Sequence, residues 1–200
     1  MKLSVVIPFY NEENMIQKMY DELVKEINQI TKAEFEIIFI NDGSKDRTFE
    51  RMLAIAAGDS RVKYISFSRN FGKEAGTIAG LEYATGEAVI LMDGDLQHPP
   101  AMLPQMIEAY EQGYDVVSAR RTRTGEKPHR TFLAKHFYKL ANKMMDIELM
   151  DGVSEFRLFS RKVVNAIISM QEYNRFSKGI FAWIGFNEKV IEYENQVRTD

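Results

Sequence analysis

The sequence predicts an open α/β sandwich in which helices cover both faces of a mostly parallel central sheet. Three observations carry that prediction. Near-continuous β-branched and aromatic runs recur at "LSVVIPF", "FEIIFI", "VKYISF" and "EAVILM". The stretches between them repeat apolar residues at helical spacing. Finally, no apolar run reaches the roughly 20 residues that cross a bilayer, so these runs read as buried strands of a folded domain.

Taken in order, the first run is closed by Pro8 and followed by a helix with Met15, Met19, Leu23, Ile27 and Ile30 on one face. "FEIIFI" precedes a helix from about Asp46 to Ala57, and "VKYISF" precedes one from about Lys73 to Ala84. "EAVILM" ends at Asp93. Pro99 and Pro100 suit the start of the next helix, on which Met102, Met106 and Tyr110 are spaced apolar positions. "YDVVSA" reads as a fifth strand. The segment "RRTRTGEKPHR" has no apolar period and reads as a surface loop. Helices are expected near 131–145, 161–170 and 175–184, with a strand near "EKVIEYE". No repeat or linker divides the chain, so residues 1–200 are expected to form one domain.

Composition narrows the function classes. A hydrophobic content of 45% supports one sizeable core, and a net charge of -3 gives no reason to expect nucleic acid as a partner. With no cysteine there is neither a disulfide framework nor a thiolate metal site. Any metal must be held by oxygen or histidine. The opening "MKLSVVIPFY" is too short an apolar run for a signal peptide and is followed at once by "NEEN".

Ligands of open parallel sheets bind beyond the carboxyl ends of the strands. There the sequence places "PFYNEE", "NDGSKD", "SRNFGKEAG" and "DGDLQHPP". Each alone is ordinary turn chemistry, but four at one sheet edge point to a polar ligand. Asp93 and Asp95 flank Gly94, whose freedom allows a turn bringing both carboxylates to one cation. With the Gln97 carbonyl they make a hard oxygen site suited to Mg²⁺ or Mn²⁺, with phosphate oxygens completing the shell. The competing reading is that Asp95 and Gln97 cap the next helix. His98 is expected to be structural. "PFYNEE" lacks the glycine-rich phosphate turn of a dinucleotide-binding dehydrogenase, which excludes that class.

Five segments in this order and spacing, "VVIPFYNEE", "INDGSKDRT", "RNFGKEAGTIAGL", "MDGDLQHPP" and "SEFRLFSRK", resemble the family 2 glycosyltransferases of GT-A fold. Within them the match is to the polyprenyl-phosphate glycosyltransferase branch, which includes dolichol-phosphate mannose synthase and bacterial undecaprenyl-phosphate glucosyltransferases. The resemblance covers nearly the whole chain. It implies that Pro8, Tyr10 and Glu12 border a nucleotide sugar, that Asp42 reads the base, and that Lys73 and Asp93 lie nearby. A carboxylate can accept the imino N–H of uracil, which gives Asp42 a physical basis for that role. The same resemblance implies that Asp93, Asp95 and Gln97 hold a metal bridging the diphosphate.

In that branch the acceptor is a lipid monophosphate, already ionised near neutral pH, so the site needs cations to position it more than a strong base. Arg120, Arg121, Arg123, Lys127 and Arg130 crowd one loop, with Glu126 opposing them. Arg120 and Arg130 match the branch pattern best, while a solvated basic loop is the alternative. Asp93, Asp95, Arg157 and Glu155 are expected at the catalytic centre, with Arg157 also counted among the acceptor-phosphate cations. Glu155 stands where bacterial relatives commonly carry aspartate. Asp151 is either a second acidic contact or a cap, and Arg175, Phe176 and Trp183 are expected close to the site, with packing an equal reading for Trp183.

The resemblance thus implies inverting, metal-dependent transfer of a hexose or N-acetylhexosamine, UDP-linked, to a polyprenyl phosphate at the cytoplasmic face of the membrane. Transfer to a saccharide hydroxyl and a non-catalytic nucleotide-sugar-binding domain are the alternatives, and homo-oligomerisation is left open. Relatives continue into interface and transmembrane helices that this chain lacks, so a soluble catalytic domain of a membrane-anchored protein is expected, or a short peripheral enzyme.

Overall fold

The computed structural model describes residues 1–122, 153–170, 181 and 185–193. Strands β1 (Lys2–Phe9), β2 (Glu34–Asn41), β3 (Val62–Ser66) and β4 (Ala88–Leu91) alternate with helices α1 (Ile16–Ile27), α2 (Thr48–Gly58) and α3 (Lys73–Tyr83). A 3₁₀ turn at Pro100–Met102 leads into α4 (Leu103–Glu111), then come β5 (Val116–Arg121), β6 (Val153–Ser160), α5 (Arg161–Ser169) and β7 (Glu188–Tyr193). The helices expected near 131–145 and 175–184 fall on residues outside this description, apart from helical Phe181.

The sheet runs β3-β2-β1-β4-β6-β5-β7. β1 pairs in parallel with β2 and β4, β2 with β3, and β5 with β7, whereas β6 runs antiparallel to both β4 and β5. The α/β architecture expected from the alternation is therefore present, with one reversed strand, β6, inserted between β4 and β5. "VSEFRLFS" carries no expected strand because Glu155 and Arg157 interrupt the apolar pattern that marks a buried strand.

Successive residues of a strand face opposite sides, and here both sides are dry. Val5, Ile7 and Phe9 join Ile16, Met19 and Leu23 of α1, Met52 of α2 and Met106 of α4 in one core layer. Val6, Ile38, Ile40 and Leu91 join Leu81 of α3 and Val163, Val164 and Ile167 of α5 in the other. Helix α3 packs tightly on the sheet: a Cβ at Gly80 would lie 2.2 Å from Val6 Cγ1. α1 starts at Ile16 rather than directly after β1, because Asn11 takes a left-handed φ of 52° and the intervening chain is bonded elsewhere.

At the amino end of the strands, Glu36 is 3% exposed and accepts from four donor groups on three residues. The Ser4 hydroxyl donates to it at 2.5 Å, the Thr85 amide at 2.6 Å, the Thr85 hydroxyl at 2.9 Å and Lys63 Nζ at 2.8 Å. Burial alone would raise its pKa, but Lys63, Ser4 and Thr85 together hold the carboxyl at about 2. β1, β2, β3 and the end of α3 are thereby joined through one carboxylate. Since the folded pKa lies below the ordinary 4.5, this contribution is complete above pH 4.5 and is lost as pH falls toward 2. Glu36→Gln should cost roughly 1–3 kcal/mol in urea unfolding at neutral pH. The difference from the unsubstituted protein should narrow as pH falls through that window.

Candidate active site

Three loops meet beyond the carboxyl ends of β1, β2 and β3, and hydrogen bonds between them fix their shape. The Asn11 amide donates to Ser44 Oγ at 3.0 Å, the Glu12 amide to Thr48 Oγ1 at 2.8 Å and the Glu13 amide to Asp46 Oδ2 at 3.1 Å. Lys45 returns a bond to Asn11 Oδ1 at 2.8 Å. The Asp42 carboxylate accepts the Phe71 amide at 2.7 Å and the Gly72 amide at 3.0 Å, so it fastens the loop after β3 to β2. One oxygen serves each amide, which leaves acceptor capacity on both for a donor in the cleft.

These loops and the end of β4 enclose a cleft of about 320 Å³. Pro8, Tyr10, Glu12, Asp42, Lys73, Asp93 and Asp95, all singled out in the sequence, line it together. Phe9, Asn70 and Gly72 line it as well, although sequence reasoning did not single them out. Asn70 lies within "RNFGKEAG", a segment whose position was legible while the inward residue was not. Phe9 reads as a strand residue, and its ring is shared between the core and the cleft floor.

Gly94 acts through space rather than through its backbone angle. A Cβ there would come within 2.3 Å of Phe9 Cε1, so the glycine lets the chain lie against that ring. The left-handed residue of this turn is Leu96, with φ 59°. The Gln97 amide donates to Asp95 Oδ1 at 3.0 Å, and the Gln97 side chain is not part of the cleft wall. His98 is buried, stacks on Phe156 at 5.5 Å and accepts the Asp93 amide through Nδ1 at 3.4 Å. Burial lowers its pKa despite the nearby Asp93 and Asp95 carboxylates, which favours this neutral acceptor form.

Between β4 and β6 lies a compact charge group. Lys73 Nζ is 2.5 Å from Asp93 Oδ1 and 2.7 Å from Glu155 Oε2. Burial would lower the lysine pKa, but Asp93 and Glu155 outweigh it and raise it, so Lys73 is a cation. Among the described residues, no three acidic or histidine side chains cluster as a complete metal site. Asp93 and Asp95 nevertheless present two hard oxygen donors in one cleft, which fits a divalent ion whose remaining ligands come from phosphate and water.

Two residues expected at the site do not line this cleft. Arg157 is 5% exposed and does not line the cleft: it pairs with Glu188 Oε1 at 3.4 Å, and Phe181 lies 5.1 Å from its guanidinium. Its register opposite Leu91, within the sheet rather than beyond its end, is the reason. Arg120 belongs to β5 and pairs with Glu192 of β7, opposite which its register sets it, instead of opening the expected loop. Arg123, Glu126, Lys127, Arg130, Asp151, Arg175, Phe176 and Trp183 lie outside the described residues. No helix among the described residues is long and apolar enough to cross a membrane.

Residues 4–168 match the model of Glycosyl transferase family 2. CsbB of Bacillus subtilis (strain 168), a provisionally assigned glycosyltransferase, is 51% identical over 98% of this chain and 59% of its own length. The bactoprenol glucosyl transferase of Shigella phage SfX is 44% identical over 100% of this chain and 65% of its own length. The chain thus spans less than two thirds of these relatives. Among solved structures, glucosyl-3-phosphoglycerate synthase of Mycobacterium tuberculosis with Mn²⁺, UDP-glucose and phosphoglyceric acid aligns at a TM-score of 0.60 and 20% identity. That alignment covers 100% of this chain and 72% of the other, and it establishes a shared GT-A fold.

Asp42 offers a direct test of the cleft. Asp42→Ala should leave the Phe71 and Gly72 amides unbonded, so their hydrogen exchange should accelerate by about tenfold or more, the equivalent of losing a charge-assisted bond of roughly 1.5–3 kcal/mol. Unchanged protection at both amides would show that the loop is held by other contacts.

Proposed function

The chain belongs to glycosyl transferase family 2, and from that membership we propose that it transfers a hexose or N-acetylhexosamine, with inversion, from a UDP-sugar to a polyprenyl phosphate. The observation that carries the reading is the cleft that Pro8, Tyr10 and Asp42 line together with Asp93 and Asp95. The first group suits a base, the second a diphosphate. The relative named bactoprenol glucosyl transferase supports a polyprenyl phosphate acceptor, and the neighbour holding UDP-glucose and Mn²⁺ supports the donor class and a divalent ion.

In this reading Asp42 accepts an N–H of the base while its other bonds keep the loop before α3 in place. Pro8 and Tyr10 border the nucleoside. Asp93 and Asp95 would hold the cation, and a cation bound there would supply Lewis-acid neutralisation of the nucleoside diphosphate's charge. A phosphate oxygen of the acceptor attacks the anomeric carbon, and the sugar's bond to the diphosphate breaks with its electron pair. No proton has to move, because the acceptor arrives ionised. Arg130 and Arg120, the latter released from Glu192, are the groups proposed for the acceptor phosphate. Arg157 braces β6 through Glu188 and the Ser154 carbonyl. A membrane surface at the cytoplasmic face would present such an acceptor.

A saccharide hydroxyl would instead need a general base. Asp93 and Glu155 already share Lys73, so either would lose that ion pair on accepting a proton.

The test is a panel of nucleotide sugars offered with a short-chain polyprenyl phosphate and Mn²⁺, with products identified by mass. Transfer from a UDP-sugar is expected, and Asp95→Asn should lower kcat by about 10²–10³-fold, the rate equivalent of several kcal/mol of lost charge stabilisation. Full turnover without a divalent cation, or transfer to a soluble saccharide alone, would overturn the proposal.

A further inference from the structure

Lys73 is the first residue of α3, where the helix macrodipole is positive and an ammonium is unfavourable. Its ion pairs with Asp93 and Glu155 offset that cost, and they also place a positive charge directly on one of the two carboxylates available to a metal. Resting on the metal–diphosphate reading above, we propose that Lys73 is a resident counter-ion that excludes free divalent cations from Asp93, so that the metal is taken up only together with the nucleoside diphosphate.

The geometry supplies the reason. Nζ lies 2.5 Å from Asp93 Oδ1, so a dication on that oxygen would be in contact with an ammonium. Like charges at that separation repel strongly in a partly buried site. A dication on the other oxygen, Oδ2, would still lie close to Nζ, because both oxygens belong to one carboxylate. A diphosphate changes the balance by providing new acceptors for Lys73, and the lysine, itself part of the cleft wall, can turn to them without leaving the site. Glu155 then keeps a second partner within reach on β6. Its extra methylene relative to aspartate lets a carboxylate from that strand reach Nζ at 2.7 Å. In effect, the ammonium and the dication take turns on one oxygen, and the anionic donor decides which.

The experiment titrates Mn²⁺ into the full chain with and without UDP, following free Mn²⁺ by electron paramagnetic resonance, for the unsubstituted protein, Lys73→Gln and Lys73→Met. The unsubstituted protein should bind Mn²⁺ weakly alone and about tenfold or more tightly with UDP. Both variants should bind Mn²⁺ without UDP about tenfold more tightly than it does, and the UDP enhancement should shrink. Thermal melts identify which variants are folded, and either folded variant suffices. Variants that bind free Mn²⁺ no more tightly, while UDP still promotes uptake in the unsubstituted protein, would overturn the counter-ion role and leave the function standing. Absence of Mn²⁺ binding in every protein, with or without UDP, would overturn both.

Discussion

The parallel pairing of β2, β1 and β4 sets the position of everything at the cleft. Parallel strands must point the same way, so their carboxyl ends share one edge, and the register puts Phe9 beside Asn41 and Val6 beside Leu91. The chain leaving each strand therefore enters the same volume. Asp42, Tyr10 and Asp93 are separated widely in sequence yet line one cavity because the ladder leaves them no other place to go. The reversed β6 completes the arrangement: it approaches this edge with its amino end, so Glu155 projects past Leu91 toward Asp93.

Charge is partitioned between the two ends of the sheet. At the amino end Glu36 is saturated with donors and serves the fold. At the carboxyl end Lys73 is shared between two carboxylates, and Asp95 keeps a place in the cleft wall. Saturated carboxylates stabilise a packed structure, whereas shared ones can exchange partners at low cost. The difference between the two clusters is thus a difference between support and binding. The buried Arg157 and its half-buried partner Glu188, on β6 and β7, belong with the first kind although Arg157 lies only two residues from Glu155.

Much of this was legible in the sequence because the signals were local. Apolar runs marked six of the strands, and polar segments after four of them marked the cleft edge. Asp93 was identifiable because it ends a strand beside Gly94 and Asp95, whereas Asp42 and Lys73 were marked by the family resemblance of the segments that carry them. The β6 strand was not legible, since its charged residues break the apolar pattern and their partners, Lys73 and Glu188, are distant in the chain. Gly94 was legible as a special position but not for its reason, which is the Phe9 ring beneath it.

The sequence by itself determined the α/β alternation and, through five contiguous motifs, the family and with it Tyr10, Glu12, Asp42, Asp93 and Asp95 of the cleft, because strand ends, turns and motifs are written in contiguous residues. The tertiary structure alone decided that β6 runs antiparallel between β4 and β5, that Arg157 is buried below the site, that Arg120 pairs with Glu192, and that Lys73 stands between Asp93 and Glu155. Each of these depends on strand register and on contacts across the sheet, and no stretch of neighbouring residues encodes the distance between two side chains that meet only when the strands pair.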